Sequence, residues 1–183
     1  MNSNLARSLA LAALSLALPL QAADSTGYVD FGKFSPPRAG GQFVEVNIRD
    51  NLIGMVARLA AAQEPEVAEL IGGLKRIRVN VIGLDDENRG EIGDRVSRLG
   101  IELDQRGWER IVTARNGTEE VNVFLKTREQ EAVEGIVVTI LQGGKEAVLI
   151  NVVGDIRPEQ IATLGERFNL EPLKQAGRAI GKS

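Results

Sequence analysis

The chain has 183 residues, 43% of them hydrophobic, a formal net charge of −3 and a pI of about 5.2. That is the length of one domain with enough apolar residues for a core, and the acidic balance with only 4% aromatics argues against a nucleic-acid surface, which needs a basic footprint and stacking platforms. Histidine and cysteine are both absent, which removes Ser–His–Asp and Cys–His catalysis, thiolate redox chemistry, disulfides and nearly every zinc site.

The first residues read as an address. Met1 to Arg7 carry one positive side chain, Ser8 to Leu18 form an apolar run, and Pro19 and LQAAD follow. A positive start, a short apolar stretch and a small-residue site are the parts of a cleavable signal peptide, with cleavage expected after Ala22 or Ala23. As a helix the apolar run spans about 20 Å, short of the ~30 Å hydrocarbon core, so a membrane span is the weaker reading. The expected organisation is a signal peptide over 1–22, an arm over 23–42, a single domain over 43–173 and a flexible tail over 174–183. The signal points to the bacterial periplasm or to secretion, with no stable membrane anchor after cleavage.

The arm carries a short apolar patch, Tyr28 to Phe34, with Tyr28, Phe31 and Phe34 as candidate anchors. Pro36-Pro37 and Gly40-Gly41 then break any regular element. FVEVNIR (43–49) alternates and predicts a strand. Leu52, Ile53, Val56, Leu59 and Ala60 have helical spacing, with Asp50 as the expected N-cap. EPEVAELIGG predicts a second helix with Pro65 at its start. LKRIRVNVIGL alternates again, with Ile77, Val79 and Val81 on one face and Arg76, Arg78 and Asn80 on the other. A third helix carries Ile92, Val96, Leu99 and Leu103 as its inward stripe. Asn116-Gly117 and Gly143-Gly144 each predict a hairpin between strands. RPEQIATLGERF predicts a last helix with Ile161, Leu164 and Phe168 inward, and Leu170 and Leu173 as anchors beyond it. The order is β-α-α-β-α-β-β-β-β-α. Consecutive hairpins require antiparallel pairing, so the expected fold is α+β: a mostly antiparallel six-stranded sheet with the helices packed on one face.

The stretch AVLINVVGDIRPEQIATLGERFNL, an apolar strand followed by Gly-Asp-Ile and a helix opening near Pro-Glu-Gln, resembles the close of the bacterial family catalogued as domain of unknown function 4252. The upstream order is similar too: signal peptide, helical region, hairpins and a lone tryptophan, Trp108, opening a strand. The resemblance covers roughly residues 43 to 170. It implies a small exported bacterial domain and carries over no catalytic residues. The resemblance brings in lipoproteins among the relatives, a feature this chain lacks the cysteine to share.

Four candidate sites follow from the residues. Asp155, on a strand-to-helix loop, suits a catalytic carboxylate but more ordinarily a helix cap. Asp85-Asp86-Glu87-Asn88 offers clustered oxygens, yet their spacing is not that of a calcium loop, and acids before a helix are favoured by its dipole. Lys75, Arg76 and Arg78 form the best basic group, an anion site or a solvated sheet face. Trp108 is more ordinarily core than a ligand stack.

The apolar–Asn–apolar pattern recurs at Asn47, Asn80, Asn122 and Asn151. If the flanking Val and Ile residues face the helices, Asn47, Asn80 and Asn122 face away. Burying each amide unpaired costs on the order of 1–3 kcal/mol, so exposure or hydrogen bonding is expected. Asn151 differs, because Leu149 and Val153 share its face and its strand should be central. The ordinary reading is the wet face of a one-sided sheet. The functional reading is a recognition face in which Asn47, Arg76, Arg78, Asn80 and Asn122 contact a partner from the envelope. A non-catalytic binding module with no cofactor and no metal is therefore the leading expectation. A carboxylate hydrolase of envelope glycan, with Asp85, Asp86 or Asp155, and a small soluble carrier of an apolar ligand are the alternatives.

Overall fold

Period-two alternation and period-3.6 stripes divide the chain where expected. The computed structural model describes residues 26–128, 132–157 and 160–161. In chain order the elements are β1 (Phe43–Arg49), α1 (Asp50–Ala60), α2 (Pro65–Gly72), β2 (Leu74–Gly83), α3 (Arg89–Gln105), β3 (Glu109–Asn116), β4 (Glu119–Arg128), β5 (Ala132–Gln142) and β6 (Glu146–Ile156). The six strands form one sheet in the order β1-β2-β6-β5-β4-β3, every neighbouring pair antiparallel. The expected six-stranded antiparallel α+β fold is what the chain adopts.

The turns follow their residues. Gly117 has φ +59, and Asn116 pairs with Glu119, so the β3–β4 loop is Gly117-Thr118, one residue later than the Asn-Gly dipeptide suggests. Gly143 and Gly144 turn between β5 and β6 with φ +51 and +69, a conformation β-carbon-bearing residues avoid. Pro65 opens α2, where its missing N–H is no loss. Asp50 lies inside the first turn of α1 and not at its cap, its carboxylate accepting the Asn51 N–H at 2.8 Å.

The helices do not share one face, and here the expectation needs correction. Val123, Leu125, Ile136, Val138, Ile150 and Val152 pack with Ile53 of α1, Leu70 of α2 and Ile161. Phe124, Val137, Ala147 and Leu149, at the alternate positions, pack with α3 residues Ile92, Val96, Leu99 and Leu103, with Trp108, and with Val29 and Phe31 from the arm. α1 and α2 therefore cover one face; α3 and the arm cover the other. The reason lies in β4 to β6, whose apolar residues run through both parities (EGIVVTIL, AVLINVV). A strand apolar on both sides must be covered on both sides. After β6, Gln160 and Ile161 are helical and Ile161 is buried. The expected signal peptide and the expected tail, and Leu164, Phe168, Leu170 and Leu173 of the expected last helix, lie outside the described residues.

Candidate functional site

After a turn at 26–27, residues 28–34 cross the α3 face of the sheet as a segment that belongs to no strand. A covered backbone must still place its polar groups. Here side chains take them. The Gly27 carbonyl accepts from Asn151 Nδ2 at 3.1 Å, and the Tyr28 carbonyl from Arg106 Nη2 at 3.4 Å. The Phe31 carbonyl accepts from Arg95 Nη2, the Gly32 carbonyl from Arg78 Nη2 at 2.6 Å, and the Lys33 carbonyl from Arg95 Nη1 at 2.9 Å. The Val29 N–H donates to Asn151 Oδ1 at 3.0 Å, so Asn151 holds the arm by both ends of its amide. Its Nδ2 also donates to the Ile136 carbonyl of β5 at 3.1 Å.

Side chains of the arm alternate over this framework. Val29 and Phe31 are buried in the α3 core. Asp30 points outward and receives Arg78 Nη1 at 2.7 Å. The guanidinium of Arg76 lies 4.2 Å from the centre of the Tyr28 ring, and that of Arg95 4.2 Å from the Phe34 ring, both favourable cation–π placements. Two glycines allow the close approach. A β-carbon on Gly27 would stand 1.9 Å from the Glu134 carbonyl oxygen. Gly32 has φ +72, and a β-carbon there would meet Arg95 Nη2 at 2.1 Å. The Arg78 hydrogen bond, then the Gly32 N–H, hold the Asp30 carboxyl below its usual range.

The binding candidates separate on this geometry. Asn47, Arg78 and Asn151 lie in one cross-strand row over β1, β2 and β6, and Asn80 lies in the next row between Glu45 and Leu149. Asn47 is exposed on the edge strand, and Arg76 is half-buried beneath Tyr28. Arg78, Asn80 and Asn122 are buried, at 6%, 0% and 5% exposure, so the wet face expected for Asn80 and Asn122 is overturned. The physical reason is the second cover: the arm and α3 exclude water from that face. Asn122 satisfies its amide within the sheet, accepting from Thr113 Oγ1 at 3.1 Å and donating to Glu120 at 2.9 Å. Both polar atoms of Asn80, and Nε of Arg78, find no hydrogen-bond partner among the described residues. Arg95 on α3 and Arg106 at its C-cap, which hold much of the arm's backbone, escaped sequence reasoning because there they look like ordinary solvated charges. Asn151 carried a signal: it is the one asparagine flanked on its own face by apolar residues in a central strand.

Residues 40–164 match the family described as Domain of unknown function (DUF4252). The chain belongs to this family. No curated protein and no solved structure matches it. Among the described residues, all six strands and the three helices lie within the DUF4252 region, and residues 26–34 lie outside it.

The other candidates of the DUF4252 domain have structural uses. Asp155 is exposed and pairs with Arg128 at 3.2 Å. Asp85 caps the turn before α3, its Oδ1 accepting the N–H groups of Glu87 and Asn88 at 3.0 and 2.9 Å; the Asn88 bond is the leading cause of its lowered pKa. Asp86 pairs with Arg89 at 3.3 Å. Trp108 is core, packed with Val29 and Phe31. Two clefts of about 420 and 360 Å³ flank the arm against α3; both include Arg95 and Glu91 in their walls.

Proposed function

We propose that this DUF4252 domain is a non-catalytic binding module that holds an extended peptide segment across the α3 face of its sheet, with its own residues 26–34 as the resident occupant. One observation carries the reading: carbonyls 27, 28, 31, 32 and 33 are all received by side chains of the domain and none by strand pairing. Side chains that read main-chain groups give affinity for any extended chain, and pockets for alternate side chains give selectivity. Here the pockets take Val29 and Phe31, and Arg78 takes the carboxylate between them. The preferred occupant is thus an extended segment of alternating apolar and acidic character, interrupted by glycines where the backbone approaches closest.

The setting we propose is the bacterial envelope. Met1 to Ala23 have the charge, apolar run and small-residue site of a cleavable signal. Cleavage after Ala22 or Ala23 would start the mature chain just ahead of the arm. N-terminal sequencing of the protein recovered from an envelope fraction tests this, and an intact Met1 there refutes it.

The binding reading is tested in the full chain with Gly27→Val, whose side chain cannot fit against the Glu134 carbonyl and so expels the arm. The probe is a labelled peptide of residues 24–36, DSTGYVDFGKFSP, followed by fluorescence anisotropy. Saturable binding to the variant is expected. The wild type should bind at least roughly tenfold more weakly, because a tethered arm competes at an effective concentration of order millimolar. A variant that keeps its circular dichroism yet ignores the peptide would defeat the proposal.

A further inference from the structure

Among the described residues β1 is an edge strand, hydrogen-bonded only to β2, and there its other side offers an open row of backbone donors and acceptors. The helix that follows it is also unusually bare. Leu52, Met55, Val56 and Leu59 of α1 are 47, 48, 47 and 72% exposed, and Ile53 is the helix's buried residue. Their spacing makes one continuous stripe. Val44, on the same side of the sheet as α1, is also exposed. α1 touches β1 and β2, so the stripe stands beside the open edge.

We infer that a second copy of this chain pairs with β1 across a two-fold axis at Asn47, joining the sheets and bringing the two α1 stripes together. The charges of the strand select the register. With the axis at Asn47, Glu45 stands opposite Arg49 of the other copy, twice by symmetry. Val46 stands opposite Ile48, also twice, on the side where α1 lies. Asn47 meets its own copy, amide to amide. Moving the axis one residue either way separates Glu45 from Arg49, and opposite charges facing each other across an antiparallel pair are the favourable arrangement. Glu45 is free to do this: it reaches Arg78 only at 3.8 Å and its side chain stays 45% exposed. Asn47 then has a use that the other three asparagines, all buried, do not share. The contact is isologous, the commonest closed arrangement for soluble oligomers.

Sedimentation of the full chain over a dilution series tests it. A reversible dimer is expected. Arg49→Glu should weaken it at least roughly tenfold, because in a two-fold contact the repulsion enters twice. Adding Glu45→Arg to Arg49→Glu should restore the dimer, an outcome no loss of fold can imitate. Leu59→Glu should also dissociate it, with circular dichroism unchanged. A wild type that stays monomeric at every concentration overturns the inference. So does a monomer in which Leu59→Glu abolishes binding to phosphatidylglycerol vesicles, which would make the stripe a membrane face. A monomer whose melting temperature falls with Leu59→Glu overturns it too, since the stripe would then be covered by the chain's own residues 162–183.

Discussion

Asn80 and Asn151 sit on the same face of neighbouring strands, and neither has any exposed surface, yet only one has its amide spent. Asn151 lies beneath the start of the arm, and its oxygen and nitrogen fit the Val29 N–H and the Gly27 carbonyl. Asn80 is enclosed without a partner on either atom among the described residues. Two identical side chains in adjacent cross-strand rows thus stand at opposite ends of the energetic range for a buried amide: one strengthened by a low-dielectric surrounding, the other penalised by it. The difference lies in where the arm crosses the strands.

The largest test of that contrast is Asn151→Ala. It strips partners from the Val29 N–H and the Gly27 and Ile136 carbonyls, and should lower stability by about 3–4 kcal/mol, since each buried group left unpaired costs ~1–3 kcal/mol and the three losses overlap. Urea midpoints measure it, and Trp108, the single tryptophan, reports whether the arm has left. A loss below that of an ordinary surface change would break the comparison. Next comes Leu99→Ala on α3, expected to lose about 2–4 kcal/mol as buried leucine truncations do. An unchanged midpoint would mean the arm's face is loosely covered and not a second core.

Asn80→Leu should move stability the other way. Replacing an unpaired buried amide by an apolar group of similar size should raise the midpoint, by about 1 kcal/mol. A fall would show that Asn80 holds a bridging water, and would place it with Asn151 and not against it.

The smallest effect concerns pH. The docked arm depresses the Asp30 pKa, first through the Arg78 hydrogen bond, so the released arm binds that proton more readily than the docked one. The contribution is complete above the ordinary value of 3.8 and is lost as pH falls through the lowered docked value. Asp30 is 70% exposed, so the gain is modest and solvent-screened. Acid titration followed by Trp108 emission should show arm release below that value. Asp30→Asn should remove the acid step and leave the arm weaker at neutral pH. An identical titration in both proteins would rule out the Asp30–Arg78 pair as a latch.

Much of this protein was determined locally and could be read from the residues in order. Six strands, three helices, both hairpins and the antiparallel sheet follow from side-chain period, turn glycines and the proline at α2, because each depends on neighbours a few positions away. The arm's aromatic patch was legible as a docking segment for the same reason. What required the tertiary structure was the second cover of the sheet, and with it the fate of the asparagines. Alternation places Asn80, Asn122 and Asn151 on one side of their strands, but nothing local says whether that side meets water, a helix or a peptide. That is decided by α3 and by residues 26–34, the latter reaching β6 across a separation of 122 positions in the chain. Arg95 and Arg106 were invisible as arm ligands because an arginine's donors show their partner only when a distant carbonyl arrives. The sequence alone determined the elements and the parity of each residue. Only the tertiary structure decided which parity is dry, because burial belongs to pairs of surfaces and not to either one.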